Sequence, residues 1–82
     1  MYEVKIERKA LKSLEKISPP YYLKIKNAIL KLAEEPRPSG CKKLTDVDAY
    51  RIRVADYRII YNIQDDVLIV NVIHISHRKE AY

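Results

Sequence analysis

The sequence has little of what exported, membrane-spanning or disulfide-bonded proteins use. Its 82 residues include one cysteine, one glycine and neither phenylalanine nor tryptophan. A single cysteine cannot form an internal disulfide, and no charged leader or long apolar run predicts export or insertion into a membrane. We therefore expect a protein of the cytoplasm. Cys41 has no histidine or second cysteine beside it, which favours an incidental thiol over a nucleophile.

What the sequence does contain is typical of one packed domain with a basic surface. Aliphatic residues are plentiful, seven tyrosines supply all the aromatic rings, and the length predicts a single domain over residues 1–82. Sixteen Lys and Arg against eleven Asp and Glu give a formal net charge of +5. Such a charge on a small surface attracts polyanions, so nucleic acid or an acidic protein is the expected partner.

The apolar pattern predicts an α+β domain in the order β-α-α-β-β-β, with room for one more strand. Apolar residues at helical spacing after residue 7, and again between Pro20 and Pro36, predict two antiparallel helices, the second with Ser18 as its N-cap. Prolines, the one glycine and a lysine pair mark a loop over 36–43. Alternation or aliphatic runs predict strands at 2–6, 50–54, 57–63 and 67–76. The helix hairpin should pack on a mainly antiparallel, twisted sheet.

Two turns predict how the later strands pair. If Ala55-Asp56 and Asp65-Asp66 are two-residue hairpin turns, Arg53 lies directly opposite Arg58. These arginines and Arg51 then share the face of the sheet that points away from the helices. Like charges at cross-strand distance destabilise a sheet, so folding alone gives no reason for this pattern.

The same register makes a prediction for the two histidines. It puts His77 on the arginine face and His74 on the helix-covered face, as a hydrogen-bonded core residue. Because they point to opposite faces and no Cys or carboxylate cluster accompanies them, a metal site is not expected. Arg78 and Lys79 extend the basic group past the strand end. Two interpretations stay open: an anion-binding site, or a solvated basic face that nearby aspartates partly neutralise.

Phosphoryl transfer from RNA is the reaction that suits such a face. Its transition state gathers negative charge on phosphate oxygens, and guanidinium groups bind these oxygens in bidentate fashion. Arginine scarcely gives up its proton, so His77 and Tyr82 are the candidates for proton transfer.

Three stretches, at residues 10–14, 44–61 and 75–82, together resemble the RelE/ParE toxin superfamily. They read ALKSL, a core of YRIRV and YRIIY, and ISHRKEAY. The resemblance implies a RelE-like fold, a cytoplasmic prokaryotic toxin, and an antitoxin, expected to be acidic and encoded adjacently, that wraps around it. For the RelE branch it implies an endoribonuclease, or mRNA interferase, that needs no metal or cofactor. Such a toxin cuts mRNA in the ribosomal A site when a ribose 2′-OH attacks the adjacent phosphate.

The resemblance also implies roles for single residues. Arg51 and Arg53 match basic residues on the first strand of the arginine hairpin, and Arg58 matches a phosphate-stabilising arginine. Arg78 matches a residue linked to leaving-group protonation, and Tyr82 a tyrosine that stacks on a base. The general base stays open. The predicted catalytic residues are Arg53, Arg58, Arg78, His77 and Tyr82, and the predicted RNA-binding residues are Lys42, Lys43, Arg51 and Lys79.

Two other functions remain as alternatives. In the ParE branch the same fold inhibits DNA gyrase and performs no chemistry of its own, and a catalytically weak RNA-binding homologue is the third reading. The cross-strand Arg53/Arg58 pair favours the RNase, because basic groups converging on one phosphate serve catalysis, whereas a gyrase inhibitor needs only a suitable protein surface.

Overall fold

A computed structural model describes residues 1–79 of the protein and has the expected α+β order. The elements are β1 (Glu3–Ile6), α1 (Arg8–Glu15), α2 (Tyr21–Lys31), β2 (Lys42–Lys43), β3 (Tyr50–Val54), β4 (Tyr57–Gln64) and β5 (Ile69–His77). The additional strand is β2, which forms where the sequence predicted only loop. Neither helix among these residues has the length and apolar character needed to cross a membrane.

The strands form one sheet in the order β1-β5-β4-β3-β2. Only β1 and β5 run parallel, and the other neighbours are antiparallel, which confirms the mainly antiparallel sheet. The aliphatic run in β5 fits its position, because this strand is flanked by β1 and β4 and has no free edge.

Both helices pack on one face of the sheet, as their apolar stripes predict. Ala10 and Leu14 of α1 are buried, as are Ile25 and Ile29 of α2. From the sheet, six buried side chains join this core: Ile52, Ile59, Tyr61, Val70, Val72 and Ile75. Leu32, directly after α2, is buried in the same core. The predicted N-cap at Ser18 is wrong, because Pro20 caps α2 and Ser18 contributes only its carbonyl oxygen, 3.2 Å from the backbone nitrogen of Tyr22.

The two hairpins differ in how well the sequence predicted them. The turn at Ala55-Asp56 is confirmed, with Val54 opposite Tyr57 and Arg53 opposite Arg58. The two-residue turn at Asp65-Asp66 is wrong, because Gln64 pairs with Ile69 across a turn of four residues. We call the helix-covered face of the sheet the inner face and the arginine-bearing face the outer face.

A β-bulge in β5 changes which residues reach each face. Ile60 pairs with His74 but the next residue, Tyr61, pairs with Val72, so Ile73 is an extra residue on β5. Because side chains alternate along a strand, one extra residue exchanges the faces of everything beyond it. Before the bulge the even-numbered Val72 is buried in the core, and after it the odd-numbered Ile75 takes that role.

Candidate functional site

An open groove of about 380 Å³ lies on the outer face at the end of the β3–β4 hairpin. We call it the arginine groove. Its lining residues are Arg53, Ala55, Asp56, Tyr57, Arg58 and Arg78. Three of these six residues carry a guanidinium group, so the groove suits a small, strongly anionic group such as a phosphate.

The hairpin register brings the first two guanidinium groups together. Arg53 and Arg58 are a directly opposed cross-strand pair, as the sequence predicted. A like-charged pair in this position costs roughly 0.2–1 kcal/mol. Arg58 is half-buried, whereas Arg53 is exposed and forms no ion pair within residues 1–79. The register therefore sets two guanidinium groups side by side along the arginine groove.

Arg78 joins the groove because it directly follows β5 and lies opposite the turn of the β3–β4 hairpin. Its backbone N–H donates to the carbonyl oxygen of Asp56 at 2.8 Å, which ties the segment after β5 to the hairpin turn. The Nη1 atom of Arg78 lies 4.0 Å from Oδ1 of Asp56, and both side chains are more than half exposed. Exposed pairs of this kind contribute little, so the Arg78 guanidinium remains able to bind a stronger anion.

A second groove, of about 360 Å³, continues along the outer face from the first. We call it the lysine groove. Its lining residues are Ser39, Gly40, Lys42, Arg51, Ile52 and Arg53, so Arg53 belongs to both grooves. Lys42 pairs directly with Arg51 across β2 and β3, which places both side chains on the outer face. The predicted RNA-binding residues Lys42 and Arg51 thus lie on the same face as the predicted catalytic arginines.

The predicted positions of both histidines are wrong, because the bulge at Ile73 reverses them. His77 pairs with Tyr57 on the inner face, and the edge of one ring meets the other with centroids 5.1 Å apart. Its Nδ1 accepts the backbone N–H of Lys79 at 3.2 Å. His74, expected in the core, is exposed on the outer face opposite Ile60.

Three further predicted site residues stand apart from the arginine groove. Lys43 pairs with Tyr50 and therefore lies on the inner side of the sheet, where its Nζ is 3.5 Å from Oδ1 of Asp48. Lys43 was predicted to bind RNA together with Lys42, and it lies on the other side of the sheet because successive residues of a strand point to opposite faces. Lys79 follows Arg78 in the turn after β5 and is exposed. Tyr82 lies outside the described residues.

Ser76 is a residue on the arginine face that the sequence did not single out. It pairs with Arg58, is 6% exposed, and its Oγ has no hydrogen-bond partner within residues 1–79. Only the register after the bulge shows this, so no pattern in the sequence could have found it.

The strongest ionic contact of the described residues lies away from both grooves. Arg37 donates through Nη2 to Oδ2 of Asp65 at 2.9 Å, and the Tyr2 hydroxyl donates to Oδ1 at 2.6 Å. These two bonds lower the pKa of Asp65 to about 2, and the first raises the pKa of Arg37. The cluster joins the loop after α2, the β4–β5 turn and the start of β1. It cross-links three parts of the scaffold outside both grooves.

The arginine groove can hold one phosphate and stabilise charge that develops on it. Guanidinium groups placed before the reaction bind phosphate oxygens without further reorganisation, which is the usual source of a large rate effect. Within residues 1–79 no group of three or more His, Cys, Asp or Glu side chains is arranged to hold a metal ion. The chemistry available from the described side chains is therefore cationic binding, with His74 as an imidazole on the same face.

Comparison with known proteins gives a consistent result over nearly the whole chain. Residues 4–82 match the family model described as ParE toxin of type II toxin–antitoxin system, parDE. A protein of Methanocaldococcus jannaschii named as toxin RelE1 is 32% identical over 99% of this chain and 94% of its own length. The mRNA interferase toxin RelE of Escherichia coli is 26% identical over 98% of this chain and 86% of its length.

A solved structure shows the same fold. A chain of the archaeal RelE–RelB complex from Pyrococcus horikoshii OT3 superposes with a TM-score of 0.85 and 28% identity over 94% of each chain. The element order, the mixed sheet and the position of the helix pair are thus those of RelE. On the family match and the 32% identical relative, this chain belongs to the RelE/ParE family of toxins of type II toxin–antitoxin systems.

Proposed function

We propose that this chain is the toxin of a toxin–antitoxin pair, that it cuts mRNA on the ribosome, and that the arginine groove is its active site. The observation that carries the proposal is the convergence of Arg53, Arg58 and Arg78 on one open groove. The E. coli relative, which matches 98% of this chain, is named an mRNA interferase, and this name supports the same class of reaction.

In the proposed reaction the 2′-oxygen of one ribose attacks the adjacent phosphorus and the 5′-oxygen of the next nucleotide leaves. The products are a 2′,3′-cyclic phosphate and a 5′-hydroxyl, and one proton moves from the 2′-OH to the leaving oxygen. Arg53 and Arg58 bind the non-bridging oxygens, whose charge grows in the transition state. Arg78, which lines the same groove from the end of β5, binds on the side of the leaving oxygen. No step needs a metal ion.

In this proposal His77 does not transfer a proton. Its ring lies on the inner face against Tyr57, and its Nδ1 already accepts a backbone N–H. His74 presents an imidazole on the outer face, on the strand that pairs with the strand of Arg58. The RNA and the ribosome supply the other proton carriers in this proposal.

The proposed regulator is an acidic antitoxin that covers the outer face. A chain of net charge +5 with exposed cations offers such a partner both electrostatic steering and charge-assisted hydrogen bonds. The relative from P. horikoshii was solved as a RelE–RelB complex. We place the pair in the cytoplasm, where the proposed target, the translating ribosome, is found.

Gyrase inhibition is the second candidate, and the match to the ParE family model favours it. A gyrase inhibitor would need no groove that binds phosphate, so the arginine groove argues for the RNase. The test incubates the purified chain with programmed ribosomes and maps mRNA ends by primer extension, beside a gyrase reaction on supercoiled DNA. Cleavage of the mRNA supports the proposal, whereas intact mRNA with gyrase-dependent DNA breaks would overturn it.

A further inference from the structure

The lysine groove has the form of a second anion site beside the first. Arg51 and Arg53 lie two residues apart on β3, so their backbone positions are separated by roughly 6.6 Å along the strand. That separation is comparable with the distance between neighbouring phosphates of an extended nucleotide strand. Arg53 lines both cavities, so an elongated anion can pass from one to the other without leaving the outer face.

Two cations of this groove, Lys42 and Arg51, have no acidic partner among residues 1–79. Lys42 and Arg51 form a directly opposed pair, the second like-charged pair on the outer face. Within residues 1–79, neither takes part in an ion pair. The Nε–H of Arg51 is buried and donates to no acceptor in that part of the chain. Buried donors are nearly always satisfied, so this one points to a ligand as the missing acceptor.

A tight turn before β2 places Lys42 at the lysine groove. The backbone N–H of Cys41 donates to the carbonyl oxygen of Pro38 at 3.0 Å, and Gly40, between them, has a φ of +92°. Only glycine adopts this conformation without strain, which accounts for the one glycine of the sequence. A Cβ on Gly40 would meet nothing within 4 Å, so the groove is open on this side.

Lys43, the neighbour of Lys42 in β2, makes contacts within the protein that Lys42 lacks. Lys43 faces the inner side, where its Nζ lies 5.9 Å from the centre of the Tyr50 ring and 3.5 Å from Oδ1 of Asp48. Lys42 has neither contact. The two lysines carry the same charge and are adjacent in the same short strand, so they form a matched pair for experiment.

We propose that the lysine groove binds the RNA phosphate next to the one held in the arginine groove, so that single-stranded RNA lies along the outer face across both. This proposal rests on the proposed function for the identity of the ligand as RNA, but binding in the groove does not require catalysis. The three cations Lys42, Arg51 and Arg53 hold the second phosphate, and Arg53 bridges the two sites.

The test is an NMR titration of the full-length, isotopically labelled chain with short RNAs whose riboses are all 2′-O-methylated and therefore cannot be cut by 2′-OH attack. A dinucleotide offers one phosphate and a trinucleotide two. We expect the dinucleotide to shift signals of the arginine groove only. The trinucleotide should also shift the backbone signals of Ser39 to Lys42 and bind about tenfold more tightly, the effect of one added charge-assisted contact.

The lysine pair provides the control. Lys42→Ala should abolish the gain from dinucleotide to trinucleotide and reduce the slope of log Kd against log salt by about 0.7, the value for one phosphate contact on a single strand. Lys43→Ala should keep both the gain in affinity and the salt dependence of the wild-type protein. An equal loss of affinity for the trinucleotide in the two variants would overturn the proposal, because the effect of Lys42 would then come only from its contribution to the net charge.

The outcomes separate this inference from the proposed function. If both grooves bind the trinucleotide in a protein that cuts no mRNA, the second phosphate site stands and the RNase assignment fails. If mRNA is cut but the trinucleotide shifts only arginine-groove signals, the second site is refuted. If only the acidic antitoxin shifts the signals of Lys42, the groove is a protein-binding surface and our proposal is wrong.

Discussion

Substituting Arg53 and Arg58 one at a time and together tests whether the two guanidinium groups act on one phosphate. Removal of one preorganised donor to a developing negative charge costs about 2.7–4 kcal/mol, so we expect Arg58→Ala or Arg53→Ala to slow cleavage by about 10²–10³-fold. If the two groups acted independently, the double variant would lose activity by the product of the two single losses. Groups that clamp one phosphate act as a unit, so the double variant should lose little more than the worse single variant.

Arg53→Ala should slow cleavage without lowering the stability of the fold. Arg53 is exposed and faces a like charge across the hairpin. Its removal relieves a repulsion of roughly 0.2–1 kcal/mol, so the free energy of unfolding of Arg53→Ala should stay equal or rise by that amount. A variant that is slower and no less stable cannot be explained by misfolding.

The assay is single-turnover cleavage on programmed ribosomes, beside urea unfolding of each variant. Lys12→Ala is the matched control, because it removes the same charge from an exposed position on α1. We expect it to cut at nearly the wild-type rate. A folded Arg58→Ala protein that cuts as fast as wild type would refute the arginine-groove mechanism, and fully multiplicative losses in the double variant would refute a shared phosphate.

Three further predictions follow from contacts outside the arginine groove. Tyr61→Phe removes the 2.8 Å hydrogen bond to the carbonyl oxygen of Pro36 and should lower the free energy of unfolding by about 1–3 kcal/mol in urea. The depressed pKa of Asp65 means that its pairing with Arg37 stabilises the fold above pH 3.8 and is lost as pH falls through about 2. Asp65→Asn should therefore destabilise the protein at pH 6 and have little effect near pH 2, and equal effects at both would contradict this. His77→Ala should lower the melting temperature but leave the shape of the pH–rate profile unchanged; a shifted profile would return proton transfer to His77.

The β3–β4 hairpin is the part of the structure that the sequence predicted best. Ile52 lies between two arginines, which fixes the buried face of β3, and a two-residue turn between the strands leaves one register that also keeps Ile59 inside. The opposed arginines follow from that register. The core of the candidate site was therefore predictable from local pattern alone.

The register of β5 could not be predicted, and the reason lies in its composition. The strand is mostly aliphatic and contains neither glycine nor proline, so no residue type marks Ile73 as the point where the faces exchange. Whether each later residue of β5, including His74 and His77, lies on the inner or the outer face depends on that one extra residue. Strand β2 was missed for another reason, since two lysines after a turn are too short to show a period.

The mechanism itself is tested most directly on the bond that the protein cuts. The scissile bond is first mapped on unmodified mRNA in programmed ribosomes, and the message is then remade with a single 2′-deoxynucleotide on the 5′ side of that phosphate. Our account predicts that the wild-type protein no longer cuts this bond and still cuts the unmodified message, with a 2′,3′-cyclic phosphate and a 5′-hydroxyl as the new ends. Cleavage at the deoxy-substituted bond would contradict attack by the 2′-OH on a phosphate held in the arginine groove.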